Sequence, residues 1–427
     1  MRERVFLVSV FSKSDNRNEY EENVNELQQL AETAETNIVG SFIQTLQKPN
    51  FTTYIGKGKI QEIASEAKVK EVKTLIFNDN LSPAQSRNIS DITECNVVDR
   101  TELILDIFAK HAGTKQAKLQ VELAQLEYSF SKLKRMWKHL SRIQGGIGFR
   151  GPGEKQIEVD RRDIRRRTAI LKKRLSEIEN TTMIKRKKRS NAVSVSLVGY
   201  TNAGKSTLFN LLTKEDRYVA NQLFATLDSK TGGLHQIGSE NVVLTDTIGF
   251  IRNLPHKLIS SFHSTLTDVT EADLLLHVAD VSSASLHKYI ESVDSVLEEL
   301  KCGEKNVLMV FNKIDSVEGK MFAFHKKELM TKFPHSVFIS AQTGENIKGL
   351  ISKITEFTRK LKLTSKIHIP ESMQNLISFI YKNTDILKVD FDAERKEYQF
   401  EIKVSGHILE NIKKQIEKNK LEDYINK

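Results

Sequence analysis

The nine residues Gly199–Thr207, reading GYTNAGKST, constrain this chain more than any other stretch. An alternating apolar run (Val193, Val195, Leu197) precedes them, and a helix-like apolar run, Leu208–Leu212, follows. GxxxxGK[ST] between a strand and a helix is the pattern of a phosphate-binding loop. Gly199 and Gly204 let the backbone fold tightly, so that N–H groups across Tyr200, Thr201, Asn202 and Ala203 turn inward toward phosphate oxygens. Lys205 can reach the β- and γ-phosphates, Ser206 can give a hydroxyl to Mg²⁺, and Thr207 completes the motif. An ordinary glycine-bearing turn does not need Lys-Ser-Thr at that offset.

Residues 191–362 carry the other parts of a nucleotide switch, in order. Phe224, Ala225, Thr226, Leu227 and Asp228 form a loop in which Thr226 can offer its hydroxyl to Mg²⁺ and its backbone to the γ-phosphate. The strand Val242–Leu244 leads to Asp246, Thr247, Ile248 and Gly249, where Asp246 can hold Mg²⁺ through water and the Gly249 N–H can sense the γ-phosphate. Asn312, Lys313, Ile314 and Asp315 follow the apolar strand Val307–Phe311. The Asp315 carboxylate can accept from guanine N1–H and its 2-amino group together, which adenine cannot supply. Lys313 would pack over the base, and Asn312 would tie neighbouring loops. Ser340, Ala341 and Gln342, after the strand Val337–Ile339, can donate a backbone N–H to guanine O6. Five such segments in order predict a GTP-binding domain that uses GTP, yields GDP and requires Mg²⁺ on Ser206, Thr226 and Asp246.

Phe250 stands where many signalling GTPases place a glutamine that orients the attacking water. Phenylalanine has no donor or acceptor for that task, so no catalytic side chain is assigned. Intrinsic hydrolysis is expected to be slow, with the missing polar group supplied by a partner or another loop.

Charge points to that partner. The chain of 427 residues has a net charge of +10, yet the stretch 130–189 holds 20 Lys/Arg against 6 Asp/Glu. One segment therefore carries more than the whole positive excess, and a polyanion such as nucleic acid is its natural complement. Within it, Leu119, Leu123, Leu126, Phe130, Leu133, Trp137 and Leu140 make a heptad seam along a helix predicted over 115–143. A second helical arm over 154–182 carries Ile157, Ile164, Leu171, Leu175 and Ile178 on one stripe. Between the arms, Gly145, Gly146, Gly148, Gly151 and Gly153 surround Phe149 and Arg150. The prediction is an antiparallel helical hairpin with a glycine-rich tip that can approach another surface closely. Phe149 and Arg150 would stack or pair there, and Arg161, Arg162, Arg165, Arg166 and Arg167 on the returning arm would neutralise phosphates.

The rest of the chain is plainer. Residues 1–114 alternate strand and helix, which predicts a small α/β domain with a largely parallel sheet. Its Tyr54–Ile60 segment, YIGKGKI, reads as a structural turn opening a helix. Residues 183–190 read as a basic linker, and 363–427 as a small α+β domain with strands near 387–391 and 397–404. Cys95 and Cys302 lack metal-ligand spacing and read as buried reduced thiols, which points to a cytoplasmic protein. No apolar run approaches the ~20 residues that span a bilayer. A monomer is expected.

These motifs together resemble the HflX family of translation-associated GTPases over nearly the whole chain. The resemblance rests on YIGKGKI, QVELAQLEY (Gln120–Tyr128), GGIGFRGPGEKQIEVDRR (Gly145–Arg162), FATLD, and DTIGFIRNLPHKL (Asp246–Leu258). Lys155 stands where the family usually has threonine, and Gln342 where it has lysine. The resemblance implies binding to the large ribosomal subunit and its ribosomal RNA, with the tip directed to the peptidyl-transferase region. It also implies GTP hydrolysis stimulated by the ribosome and splitting of stalled or idle ribosomes. Two other readings fit the residues: a GTPase acting on precursor subunits during ribosome assembly, or a signalling GTP switch whose basic hairpin grips protein or membrane.

Overall fold

The computed structural model describes residues 2–12, 17–143, 152–187, 192–214, 224, 229–234, 242–252, 263–317, 319–360, 363–404, 408–409 and 411–417. The chain begins with β1 (Arg4–Ser12), α1 (Arg17–Thr33), β2 (Asn37–Leu46), α2 (Lys57–Val69), β3 (Thr74–Phe77), α3 (Pro83–Thr93), β4 (Asn96–Val98) and α4 (Arg100–His111). The four strands form a parallel sheet in the order β2-β1-β3-β4. β1 and β3 are apolar on both faces, as strands covered by helices on each side must be. Phe6, Val8, Ile60, Ile63, Leu75 and Phe77 fill one side, and Val5, Leu7, Leu27, Leu30, Ile104 and Phe108 the other.

Local chemistry sets the helix starts. Ser82 and Gln85 form a capping box at α3, with Pro83 at the first helical position. Asp99 and Glu102 do the same for α4. α4 therefore starts at Arg100, directly after its Asp99 cap.

α5 (Lys115–Ile143) and α6 (Pro152–Lys187) are the long helices. Leu119 and Leu123 cluster with Leu171 and Leu175, flanked by Leu126 and Ile178. Further along α5, the Phe130 ring lies 5.7 and 5.5 Å from the guanidinium groups of Arg161 and Arg165, so the two helices run antiparallel. α6 differs from the expected arm at both ends. It starts at Pro152 and includes Gly153, since proline suits a first turn. It also continues to Lys187, into the stretch expected as linker, because nothing from Thr182 to Lys187 breaks a helix. Gly145, Gly146, Phe149, Arg150 and Gly151 lie outside the described residues.

The second sheet has the order β10-β9-β8-β5-β7-β6. Its strands are β5 (Val193–Gly199), β6 (Lys230–Gly233), β7 (Val242–Asp246), β8 (Leu274–Asp280), β9 (Asn306–Asn312) and β10 (Val337–Phe338). All pairings are parallel except β6 with β7. Around them lie α7 (Lys205–Thr213), α8 (His263–Thr270), α9 (Leu286–Glu299), α10 (Gly319–Lys332) and α11 (Ile347–Lys360). The fold class is α/β, as predicted. β11 (Leu363–Pro370), α12 (Gln374–Asn383), β12 (Asp385–Asp392) and β13 (Glu397–Val404) follow, with an antiparallel sheet ordered β11-β13-β12. Among the described residues, no helix is long and apolar enough to cross a membrane.

Asp99 joins the first sheet to α5. It is fully buried, accepts from the Glu102 N–H at 3.0 Å and the Tyr128 hydroxyl at 2.6 Å, and pairs with Lys132 at 2.9 Å. Burial and the Asp99 charge push the Glu102 carboxyl above its ordinary range, and Lys132, 2.6 Å away, opposes them. Replacing Asp99 with alanine removes a helix cap and leaves Lys132 short of a partner, so a loss of about 3 kcal/mol is expected. Urea denaturation followed by circular dichroism measures it. Tyr128→Phe, which removes one hydrogen bond, should lose about 1 kcal/mol.

Candidate nucleotide-binding site

The phosphate loop sits at the carboxyl end of β5, the strand end where parallel α/β sheets gather ligands. Gly204 caps α7 in a left-handed conformation (φ +90°). A Cβ there would lie 2.2 Å from the Asn312 Nδ2, so this turn needs glycine on both counts. Asn312 itself donates from Nδ2 to the Ala203 carbonyl at 2.8 Å and accepts at Oδ1 from the Ala341 N–H at 2.9 Å. One buried carboxamide thus links three of the five predicted segments.

Lys205 is buried and donates to the carbonyls of Gly199 (3.0 Å) and Tyr200 (2.7 Å). Burial lowers its pKa to about 8, and Asp246 opposes the shift. An ammonium held at that margin gains strongly from a phosphate group, which restores the charge that burial disfavours. Ser206 donates to Asp246 Oδ2 at 2.7 Å. A hydroxyl and a fully buried carboxylate in contact are the hard oxygen donors that Mg²⁺ takes alongside phosphate oxygens and water. The residues present therefore fit the ion. Ala225, Thr226, Leu227 and Asp228 lie outside the described residues. Thr247 donates to the Leu197 carbonyl at 2.6 Å, and Ile248 is buried, so both hold the Asp246–Gly249 segment to the sheet.

At the base end, Ile314–Ser316 is a single 3₁₀ turn that presents Asp315 at the surface. A hydrogen bond with Ser340 holds the Asp315 carboxyl below its usual range, aided by Ser316 and Lys313, so it stays ionised as an acceptor. Lys313 is in the left-handed region (φ +66°) and pairs with Asp280 at 2.7 Å, a partner that no sequence motif marked. The N–H groups of Ser340 and Ala341 bond to the Glu345 carbonyl and to Asn312. Gln342, the third residue of the predicted segment, is exposed beside them.

Two predicted nucleotide residues face elsewhere. The Phe224 ring is buried against Phe108 of α4, edge to face at 4.6 Å. The Tyr200 ring stacks on Tyr289 of α9 at 3.9 Å, and its hydroxyl donates to Glu26 of α1 at 2.9 Å. Both side chains serve the contact with the N-terminal sheet, whatever their backbones do for phosphate. Phe250 and Ile251 are buried in that same apolar cluster with Leu27, Leu30 and Phe108. Phe250 therefore faces away from a water-orienting position. His277 of β8, buried behind the loop, was invisible as a lone strand histidine. Burial, then Lys205, lowers its pKa to about 4, so the ring is neutral. Of the predicted arginines, Arg162 and Arg166 are exposed on α6. Arg165 and Arg167 are exposed too; Arg161 and Arg165 lie over Phe130, and Arg167 pairs with Glu122 at 2.6 Å, linking α6 to α5.

Comparison with known proteins follows the same division. Residues 21–109 match a family described as GTP-binding GTPase N-terminal, 111–189 one described as GTP-binding GTPase Middle Region, and 194–313 one described as 50S ribosome-binding GTPase. A GTPase HflX of Flavobacterium psychrophilum is 41% identical over 384 residues, covering 85% of this chain and 92% of the relative. One of Alkalihalophilus pseudofirmus is 40% identical over 395 residues, covering 92% and 91%. One of Escherichia coli is 42% identical over 356 residues, covering 83% and 82%. A solved GTP-binding protein from Sulfolobus solfataricus in complex with GDP is 28% identical, covers 84% of this chain and all of its own, and has a TM-score of 0.42.

Asp315→Asn should reduce the preference for GTP over ATP by about 2–3 kcal/mol, on the order of a hundredfold, as charge-assisted bonds to guanine are lost. Competition binding with the two nucleotides measures it, and an unchanged ratio would contradict the assignment of Asp315.

Proposed function

The chain belongs to the HflX family of GTPases, and from that premise we propose that it couples its GTP cycle to the large ribosomal subunit. It is a GTP hydrolase. Ser206 and Asp246, with Thr226, would hold Mg²⁺, which would supply Lewis-acid stabilisation of the phosphate charge. Lys205 neutralises the β- and γ-oxygens, Gly249 reads the γ-phosphate, and Asp315 with Gln342 selects guanine. Phe250 adds no polar group, so the free protein turns over slowly and the ribosome completes the site.

The observation that carries this reading is the two-helix arm. α5 and α6 are clamped together by a leucine cluster and by Arg167 and Lys172 reaching Glu122 and Glu127. Those internal pairs leave the exposed Arg162 and Arg166, with their basic neighbours, as a cationic face suited to RNA phosphates. The glycine-rich segment Gly145–Gly153 joins the two helices and acts as a tip directed toward the peptidyl-transferase region. Binding of the GTP state, with hydrolysis permitting release, separates the subunits of stalled or idle ribosomes. The protein works in the cytoplasm as a monomer, with domains spanning 1–114, 115–187, 191–362 and 363–427, the arm taking in most of the stretch 183–190 expected as linker.

GTP turnover with and without purified large subunits tests the proposal. The free protein is expected well below about 1 s⁻¹, since unassisted GTPases that do have the glutamine are far slower than that. Large subunits should raise the rate, and added salt should weaken the effect as phosphate contacts are lost. Shortening Gly145–Gly153 should leave GTP binding intact and abolish subunit splitting; retained splitting rules out the tip. Stimulation only by precursor particles would point instead to ribosome assembly.

A further inference from the structure

Five polar side chains from four parts of the chain meet where the N-terminal domain touches the phosphate loop. Glu26 of α1 accepts at Oε1 from Arg100 of α4 at 2.9 Å and from the Tyr200 hydroxyl at 2.9 Å. Tyr200 in turn accepts at that hydroxyl from the Arg252 N–H at 2.9 Å, and the Arg252 guanidinium donates to Asn23 of α1. Glu26 and Arg100 are both buried, at 8% and 4% exposure, so removing either one strands the other in the interior. The carboxylate fixes the direction of the Tyr200 O–H bond. That leaves a phenol lone pair for the Arg252 N–H, three residues beyond Gly249.

The segment so held lies directly on the phosphate loop. The Phe250 N–H donates to the Gly199 carbonyl at 3.1 Å, and the Phe250 carbonyl accepts from the Thr201 N–H at 2.7 Å. A Cβ on Gly249 would stand 2.8 Å from Thr201 Cγ2 and 3.1 Å from Lys205 Nζ, so its backbone is packed against both. Lys205 is itself turned back onto the loop carbonyls of Gly199 and Tyr200. A γ-phosphate beside Lys205 needs this segment to lift. GDP, which ends at the β-phosphate, does not. On the other side of the site, Phe224 stands two residues before Thr226 and is anchored on Phe108 of α4, in the same N-terminal domain.

We propose that Glu26 is a positioning residue for the GTP switch: through the Tyr200 hydroxyl it holds Gly249–Arg252 down on the phosphate loop, so that the docked N-terminal domain opposes the γ-phosphate. Coupling of this kind is reciprocal, so GTP in turn loosens the N-terminal domain. The inference rests on the assignment of Gly199–Thr207 and Asp246–Gly249 as the nucleotide site.

The test compares the full chain with Tyr200→Phe, Glu26→Ala and Glu26→Gln, measuring affinities for a non-hydrolysable GTP analogue and for GDP. Tyr200→Phe keeps the stack on Tyr289 and the Glu26–Arg100 pair, so it is the variant expected to fold normally. It and Glu26→Ala should raise the ratio of analogue to GDP affinity at least about fivefold, the lower end of typical coupling between sites. Glu26→Gln retains an oxygen for the Tyr200 hydroxyl and should stay nearer the parent ratio. A Tyr200→Phe ratio that is unchanged or lowered overturns the proposal, as does equal weakening of both ligands, which is the mark of a merely structural role. Lys205→Ala is the separate control: if it binds both nucleotides normally, the site assignment fails, whatever the ratio shows.

Discussion

The Asn312 carboxamide is the interaction on which the rest of the site depends. Its Nδ2 holds the phosphate loop at Ala203, and its Oδ1 holds the base loop at Ala341. The two loops follow β5 and β10, which β8 and β9 separate in the sheet, so Asn312 at the end of β9 bridges them. The amide is buried, so losing either bond also strands a polar group, which costs more than the bond itself contributes. The close approach explains why Gly204 must be glycine: the space a Cβ would take is already filled by this amide. Phosphate recognition and guanine recognition are therefore one rigid unit, built from three parallel-strand ends.

Much of that unit was legible because its chemistry is local. A phosphate loop is a fixed spacing of glycines and one lysine, and a guanine-reading carboxylate follows a buried strand by a set number of residues. Helix starts were legible for the same reason, since Ser82 with Pro83 specifies a cap within a few residues. Partners distant in sequence were not. Glu26, Arg100, Asp280 and Tyr289 carry no motif, and each acquires its role only when separate elements pack. Phe224 and Tyr200 show the same limit from the other side. Both belong to recognisable motifs, yet their side chains answer to a neighbouring sheet that local spacing does not encode.

On the basic arm, some of the charge also serves the pairing of its two helices. Arg161, Arg165 and Arg167, expected to meet phosphates, also contact Phe130 and Glu122 and so join α6 to α5. An arginine over an aromatic ring, or paired with a carboxylate, holds two helices together more firmly than leucines alone can on a thin two-helix arm. Arg165 and Arg167 remain exposed while they do so, so these contacts tie the helices together without removing the charges from the surface. The continuation of α6 to Lys187 has a related effect. It carries the arm's rigidity almost to β5, leaving few residues between the arm and the strand that ends in the phosphate loop.

Two adjacent residues at the start of α4 bring these parts together. Asp99 is bound to Tyr128 and Lys132 of α5, and Arg100 is bound to Glu26, which holds Tyr200. The base of the arm and the segment after Gly249 thus meet at one helix end, with each contact charged and at least half of each pair buried. A rotation of α4 that drew Arg100 from Glu26 would also pull Asp99 against Tyr128 and Lys132. The costs of breaking either pair, about 3–5 kcal/mol where a buried charge is stranded, exceed thermal energy several-fold. The N-terminal sheet therefore cannot shift at one of these joints while leaving the other undisturbed. It is the mechanical link between the nucleotide site and the arm, and its small size concentrates that linkage in the first turn of a single helix.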